Sequence, residues 1–433
     1  MHLTRTGILL GVLTMLIGGI GQWTAGLDSI PWWRLLAALL LLCLLLEGLI
    51  MRTRSVAARV AEDNDRLFLG RNEQLVLEFD NPGVRKLKLR FVVTVPAALD
   101  CSQDAITLSL PPATTSQSAL AVRSLTLGRH TFDSVAARVL GPFGLAWWSR
   151  RLLLGTDLIV QPDTLGPRGK SSGTERSGAS TESALGGAME LHHLRDYAAG
   201  DPLNTIDWKA SARTSKLITR VFNEDQHLEV MILLDAGRTG RTQIDEIDQF
   251  GHYVNLAARF AEYCVAGDDR VGLVAFTDRT IASLPTGRGT GAVRRLRHML
   301  GQLAPAPIES DVLQAALHLR RLLRHRCLVV ILTDLYESSA TSQLVQASKL
   351  LLPHHLPLIV GITSEDVVHL ANAKASDHLD PYHSLAAREY QQHVAGNVAR
   401  LMQLGAQALT ARPRELDSKV FARYDLLRAQ RRI

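Results

Sequence analysis

Residues 228–239 read LEVMILLDAGRT, an apolar run with one early glutamate that stops at Asp235. A short run of this kind is typical of a strand buried on both faces. Residues 245–265 follow with apolar side chains at helical spacing, and a second buried run, 328–332, ends just before Asp334. The sequence therefore predicts strands that alternate with helices, the pattern of a parallel sheet covered on both faces.

The same alternation continues to the C-terminus. Further strands are predicted at 271–276, 280–284, 356–362 and 407–410, and further helices at 290–303, 311–324, 344–352, 383–404 and 415–430. Strand–helix repeats of this length belong to a doubly wound α/β fold. The predicted α/β domain, with the segment that leads into it, takes in residues 189–433.

Two aspartates follow the predicted central strands directly. In doubly wound sheets, sites form at the carboxyl ends of such strands, so Asp235 and Asp334 converge if their strands are neighbours. Thr239 is placed to add a hydroxyl. Oxygen ligands of these types suit a hard divalent cation, and we expect Mg²⁺. The alternative is that Asp235 only caps the next helix or accepts hydrogen bonds from loop amides.

Residues 60–164 have a different period. Apolar and polar residues alternate at 75–79 and again at 87–95, with the turn sequence Asn-Pro-Gly at 81–83 between them. Short strands at this spacing predict a β-sandwich-like domain.

The end of this predicted domain carries two further features. Trp147 and Trp148 are expected to pack under a strand end, with an exposed contact surface as the alternative. Residues 165–188 are rich in Gly and Ser, and they predict a mobile linker.

The N-terminal residues 1–59 contain two apolar runs, 8–23 and 32–51. Their lengths predict a transmembrane helical hairpin in a lipid bilayer. Basic residues flank the outer ends of the two runs at Arg5, Arg52, Arg54 and Arg59, whereas the connecting loop has no Lys or Arg, only Asp28. Arg34, near the start of the second run, is expected to snorkel to the far interface. The positive-inside rule therefore places both ends, and the domains that follow, in the cytoplasm. Glu47, near the end of the second run, is expected to snorkel to the interface, with an intramembrane ion site as the alternative.

Composition and motifs argue against several classes of function. The formal net charge is +6, a small excess that does not favour nucleic-acid binding. The four cysteines are far apart and have no metal-ligand spacing. The glycine-rich stretch 287–291 lacks the Lys-Ser/Thr ending of a phosphate-binding loop, and no nucleophile-elbow sequence occurs. The sequence thus identifies no small-molecule substrate.

A dense set of charged and aromatic residues precedes the first α/β strand. It comprises Arg195, Tyr197, Gly200, Asp201, Asp207, Trp208, Lys209 and Arg213. This spacing resembles the signature of the bacterial family known as domain of unknown function 58. From the residues themselves, we expect a charge-paired segment that lies across the α/β domain and sets its orientation to the β-rich domain. A docking surface for a partner is the alternative.

The resemblance implies a von Willebrand factor A-like domain at the inner membrane that works with a MoxR-type AAA+ ATPase. Related domains have a metal-ion-dependent adhesion site with the pattern Asp-x-Ser-x-Ser, then a Thr and an Asp. Asp235, Thr239 and Asp334 match this pattern, and Gly237 lacks one hydroxyl. Thr286 and Thr290 are the two candidates for the middle threonine.

The resulting hypothesis is a membrane-anchored interaction or scaffold protein that works by binding rather than by catalysis. Its site is a degenerate metal-ion-dependent adhesion site. The alternative is a metal-dependent hydrolase or nucleotide-binding enzyme centred on Asp235 and Asp334.

Overall fold

The structure is a computed structural model. It describes residues 2–24, 32–53, 56–61, 66–93, 95–101, 105–165, 191–198, 206–214, 216–222, 227–336, 338–374 and 377–430. The predicted mobile linker, apart from its first residue, lies outside the described residues, as do Asp28, Arg54, Gly200 and Asp201.

Two apolar helices that contact each other form the N-terminal part, α1 (Arg5–Thr24) and α2 (Trp32–Thr53). A two-residue strand, β1 (His2–Leu3), precedes them. Among the described residues, the segment Arg34–Thr53 is long and apolar enough to cross a membrane, while the apolar part of α1 is shorter. The structure thus has one candidate membrane helix, and the membrane-spanning hairpin stays a prediction.

The β-rich domain consists of two sheets that face each other. The first sheet has the order β1-β10-β9-β5-β7, with β3 paired to β10, and the second has the order β2-β4-β8-β6. The strands are β2 (Ala57–Val60), β3 (Arg66–Phe68), β4 (Asn72–Asn81), β5 (Leu87–Val93), β6 (Leu99–Asp100), β7 (Ile106–Leu110), β8 (Thr114–Ser124), β9 (Gly128–Leu140) and β10 (Ala146–Gln161). We call this two-sheet unit the sandwich.

The alternation in the sequence produces the core of the sandwich. Leu75, Leu77 and Phe79 point inward from β4 and are fully buried, while the residues between them are half-buried. They pack in one cluster with Leu89 and Phe91 of the opposite sheet. Period-two burial of this kind is what a sheet with one covered face requires.

Two small elements form the segment before the α/β sheet. They are the hairpin of β11 (Leu191–Asp196) and β12 (Ile218–Phe222), which are antiparallel, and the short helix α3 (Trp208–Thr214).

The α/β unit is a six-stranded sheet with helices on both faces. In sheet order the strands are β17 (Thr280–Gly287), β16 (Arg270–Phe276), β13 (Glu229–Asp235), β18 (Leu328–Leu332), β19 (Leu356–Ile362) and β20 (Gln407–Ala411). All neighbours are parallel except the edge strand β17. A small antiparallel pair, β14 (Gln243–Ile244) and β15 (Ile247–Asp248), lies outside this sheet.

The helices divide between the two faces of this sheet. One face packs against α4 (Gln249–Ala266), α5 (Gly289–Leu300) and α10 (Leu416–Ala429), and the other against α6 (Val312–Leu322), α7 (Ser338–Leu351) and α9 (Asp380–Gln403). A further helix, α8 (Glu365–Asn372), precedes α9. In β13, Ile232 and Leu234 contact the first set, whereas Met231 and Leu233 contact the second. A strand buried on both faces needs apolar residues at every position, which explains the run that opens this domain.

Candidate functional site

The sheet order brings the two predicted aspartates to one edge. Strands β13 and β18 are adjacent and parallel, with Leu234 opposite Leu332. Asp235 is the last residue of β13, and Asp334 follows β18 by two residues. Both aspartates line one cavity at the carboxyl edge of the sheet, which is where the alternation predicted that they would meet.

Asp235 is a buried carboxylate, with 5% of its surface exposed. The hydroxyl of Thr333 donates to its Oδ2 at 2.6 Å, and the backbone N–H of Gly237 donates to its Oδ1 at 2.9 Å. The hydroxyl of Ser310 donates to the same Oδ1. Hydrogen bonds to the ionised form stabilise a carboxylate that has lost most of its water.

Ser310 occupies the space that a side chain at position 237 would need. A Cβ added to Gly237 would collide with the Ser310 hydroxyl and would lie 2.9 Å from the carbonyl oxygen of Ile308. The backbone N–H of Arg238 donates to that same carbonyl at 2.8 Å, which fixes the two loops together. The absence of a side chain at Gly237 therefore leaves room for the Ser310 hydroxyl beside Asp235.

The cavity is small and is lined largely by oxygen-bearing side chains. Its lining residues are Asp235, Arg238, Thr239, Glu309, Ser310, Val312, Thr333 and Asp334. A volume of about 10 Å³ is open to the centre of a water molecule, about the space that one water molecule needs. Carboxylate and hydroxyl oxygens suit Mg²⁺, so the donor set fits the predicted cation. The guanidinium of Arg238 opposes a cation and weakens the fit.

Neither candidate for the middle threonine of the pattern lies at the cavity, so this prediction is wrong. Strand β17 runs antiparallel to β16, with Gly287 opposite Val271 at the start of β16. Thr286 and Thr290 therefore lie toward the amino edge of the sheet, away from the cavity. The reversal of the edge strand is the physical reason.

Two tyrosines border the aspartates. The hydroxyl of Tyr253 donates to the carbonyl of Thr333 at 2.7 Å. Burial raises the pKa of Tyr253 well above its ordinary value, and the charge of Asp334 adds to this shift. Burial and then Asp334 likewise raise the pKa of Tyr390 to about 12. Both phenols therefore stay protonated near neutral pH, and Tyr253 serves as a hydrogen-bond donor beneath the site.

The lining contains no histidine or cysteine, and the described part of the chain has no group of three or more His, Cys, Asp or Glu side chains placed to bind a metal. The cavity therefore combines carboxylates and neutral hydroxyls with one guanidinium, that of Arg238. This chemistry can bind a cation or a hydrogen-bonding partner through oxygen atoms.

The signature segment forms a local unit of its own. Asp207 caps α3, because its Oδ1 accepts the N–H groups of Lys209 and Ala210, each at 3.0 Å. The N–H of Tyr197 donates to the carbonyl of Leu217 at 2.8 Å, which extends the β11–β12 hairpin. Trp208 is 66% exposed, so it does not anchor the segment as a buried aromatic.

The remaining described signature residues lie on the same unit. Arg195 is on β11, and its guanidinium donates to the carbonyl of Asp196 at 3.3 Å. Lys209 and Arg213 are exposed on α3. Among the described residues, α4 carries hydrogen bonds that join the sandwich to the α/β unit, such as the one from Asn255 to the carbonyl of Leu69. The apolar periodicity of α4 gave no indication of these polar contacts, and the orienting role of the signature segment stays a prediction.

Comparisons with known proteins each match part of the chain. Residues 193–363 match the family model described as Protein of unknown function DUF58. The uncharacterized protein YeaD of Bacillus subtilis (strain 168) is 26% identical over 188 residues, which cover 41% of this chain and 43% of YeaD. The chain thus spans less than half the length of this curated relative.

Solved structures give weaker likenesses. The conserved hypothetical protein BatB from Bacteroides thetaiotaomicron has a TM-score of 0.32 at 15% identity, over 47% of this chain and 99% of BatB. Proximal thread matrix protein 1 from the mussel byssus has a TM-score of 0.28 at 11% identity, over 44% and 45% of the two chains. Together with the signature residues, the family match and the YeaD alignment support the resemblance to the DUF58 family, whose function is unknown.

Proposed function

We propose that this chain is a membrane-anchored interaction protein and that the cavity at Asp235 is its cation-dependent docking site. The observation that supports this most is the hydrogen bonding of Asp235, whose two carboxylate oxygens accept the hydroxyls of Ser310 and Thr333. A buried carboxylate ringed by hydroxyls at the rim of a parallel sheet has the donor set of a hard-cation site.

Asp235, Thr239, Ser310 and Asp334 would hold Mg²⁺ in this proposal. The cation would supply a fixed positive charge that a carboxylate of the partner can approach. Asp235 carries the charge of the site, and Gly237 leaves room for the Ser310 hydroxyl. In this proposal the α/β unit is a von Willebrand factor A-like domain, and its ion site is degenerate.

The proposed anchor is the pair α1 and α2, in the inner membrane of a bacterium. Exposed apolar side chains cover both helices, among them Leu9 at 68% and Leu41 at 60%. Arg5 and Arg52 stand at the ends of the apolar stretches and favour a cytoplasmic position for the sandwich and the α/β unit. The proposed partner is a MoxR-type AAA+ ATPase, which the family resemblance suggests.

The test is capture of that ATPase by the full chain in lipid nanodiscs, with Mg²⁺ and ATP present. Asp235→Asn removes the charge of the site and keeps its size, and Asp133→Asn, at an exposed position of the sandwich, is the matched control. We expect the unaltered chain and the control to retain the ATPase and Asp235→Asn to lose most of it.

Two results would overturn parts of this proposal. If all three chains capture the ATPase equally, Asp235 is not part of the docking site. If the folded unaltered chain captures none, the ATPase is not the partner. Hydrolysis of ATP or a phosphate ester by the purified chain, abolished by Asp235→Asn, would support the hydrolase alternative instead.

A further inference from the structure

The last two turns of α2 pack against the sandwich. Glu47 is fully buried, and the N–H of Phe143 donates to its Oε1 at 3.3 Å. Met51 is 3% exposed in the sandwich core, and its carbonyl accepts a hydrogen bond from Arg150. The expected snorkelling of Glu47 is therefore wrong, because this side chain is covered by the loop 141–145. The alternative of an ion site within the bilayer stays a prediction.

The start of α1 is fixed to the same loop. The N–H of Thr4 donates to the carbonyl of Leu145 at 2.9 Å, and its hydroxyl donates to the carbonyl of Gly144 at 2.7 Å. A side chain at Gly7 would collide with the Leu145 carbonyl oxygen. Trp148 packs on α2, since a Cβ at Gly48 would lie 2.8 Å from its ring. Trp148 therefore packs against a helix, whereas packing under a strand end was expected.

These contacts shorten the part of α2 that lipid can surround. Within the described residues α2 runs from Trp32, and about 15 of these residues, or about 22 Å at 1.5 Å per residue, precede Glu47. The hydrocarbon core of a bilayer is about 30 Å thick. Glu47 and Met51 lie within the candidate membrane segment Arg34–Thr53 and contact the sandwich. If this segment crosses the bilayer, the sandwich end that is fixed to it lies at the membrane surface.

The same end of the sandwich exposes apolar and basic side chains on two loops. Phe143 is 52% exposed and Val84 is 92% exposed. Arg85 and Lys86, next to Val84, are exposed as well. Strand β5 starts just after this turn and pairs with β9, with Leu89 opposite Val139, so the turn lies beside the loop 141–145.

The chain path agrees with this placement. It leaves α2 at Thr53 and enters β2, where Ala57 pairs with Asp80 just before the turn. Asp80 is an exposed acidic residue near this end, set against Arg85, Lys86 and Arg52.

We propose that this end of the sandwich is seated in the headgroup layer of the membrane. Phe143 and Val84 enter the interface, and Arg85 and Lys86 contact acidic lipid headgroups. This proposal rests on the proposed membrane anchoring. It adds that the sandwich is a second membrane contact, which holds the α/β unit at a fixed height above the bilayer.

The test uses spin labels on the full chain in vesicles that contain phosphatidylglycerol. Single cysteines are placed at positions 143 and 84 after Cys43 and Cys101 are replaced by alanine; Cys264 and Cys327 are buried. The measurement is the ratio of label relaxation by oxygen, which is enriched in lipid, to relaxation by a water-soluble nickel chelate. Leu39→Cys, on the apolar face of α2, reports the anchoring itself.

Leu153→Cys is the matched control for the sandwich. Leu153 is 75% exposed on β10, about 20 Å along the strand from the membrane-facing end. We expect a ratio several-fold higher at positions 143 and 84 than at 153, and highest at 39. Replacing Arg85 and Lys86 by glutamine should lower the ratio at position 84.

The outcomes separate the two proposals. A low ratio at position 39 would overturn the membrane anchor. A high ratio at 39 with values at 143 and 84 equal to that at 153 would leave the anchor in place and overturn the seated sandwich.

Discussion

At the scale of single residues, the pair Gly237 and Ser310 determines the chemistry of the cavity. Gly237 is buried, and its missing side chain leaves the space in which the Ser310 hydroxyl donates to Asp235. A serine at position 237 would add a hydroxyl to the loop but would displace the one already present. The two positions are therefore coupled, and only one of them can carry a side chain in this space.

Gly237→Ser should destabilise the full chain by about 1–3 kcal/mol, because the added atoms overpack a closed site. Chemical denaturation of the detergent-solubilised chain measures this loss. Gly291→Ser is the control, since nothing but the end of Arg295 lies within 4 Å of a Cβ at that position. The double variant Gly237→Ser/Ser310→Gly should recover part of the loss. A loss equal to that of the control would contradict the close packing.

The meeting of the two aspartates was predictable, whereas the hydroxyls were not. Asp235 and Asp334 follow apolar runs, and adjacent parallel strands end at the same edge. Ser310 has no such signal, since it lies on a loop 75 positions further along the chain than Asp235. Thr333 directly follows the second strand, but nothing in the sequence indicates that its hydroxyl reaches Asp235. Long-range loop placement depends on tertiary packing, which local periodicity does not encode.

At the scale of elements, the C-terminal helix α10 is attached through a buried polar cluster. Asp269 is fully buried at the start of β16, where it accepts hydrogen bonds from the Tyr424 hydroxyl and from Arg428 Nη1, the latter at 3.1 Å. The N–H of Leu228, just before β13, donates to its other oxygen at 3.0 Å. Asp269 thus joins α10 to two strands of the sheet.

Tyr424→Phe should destabilise the chain by about 1.5–3 kcal/mol, because a buried carboxylate loses one of its donors. Tyr382→Phe is the control at an exposed position (71%) of α9, and its effect should stay within about 0.5 kcal/mol. Thermal unfolding of both variants in the same detergent measures the difference. Equal melting temperatures would show that Arg428 and Leu228 satisfy Asp269 without the phenol.

The sequence predicted most elements with small shifts at their ends. The clearest departures occur in short elements: α8 was not expected, and the signature segment became a hairpin and a helix of 7 residues. Short elements have too few turns for a period to stand out. Longer elements such as α4 and α9 repeat their apolar positions often enough to be recognised.

At the scale of the whole molecule, the sandwich connects the N-terminal helices to the α/β unit. One end contacts α1 and α2, and the opposite end contacts α4. There, Asn255 donates to the carbonyl of Leu69 at 3.0 Å and accepts from the N–H of Asp163 at 2.8 Å. Arg259 bridges Asp163 and Asp417, at 3.0 and 2.9 Å. This polar junction fixes the orientation of the cavity relative to the helices.

Asn255→Leu should loosen the junction and cost about 1–3 kcal/mol, because the Leu69 carbonyl loses its buried donor. Spin labels at the exposed positions 133 and 366 measure the distance between the two units. The distance distribution should broaden in Asn255→Leu. It should stay narrow in Asn397→Leu, which removes a 2.8 Å hydrogen bond to Leu335 within the α/β unit. Equal distributions in both variants would contradict a rigid junction.

The central claim is that the cavity at Asp235 binds a divalent cation. The most direct measurement is the melting temperature of the full chain in detergent as Mg²⁺ is added, with choline chloride at equal ionic strength as the reference. A free Mg²⁺ concentration 100 times the dissociation constant should stabilise the chain by about 2.7 kcal/mol. Asp235→Asn should abolish this gain and Asp133→Asn should keep it. The same gain in Asp235→Asn, or no gain in the folded unaltered chain, would contradict the claim.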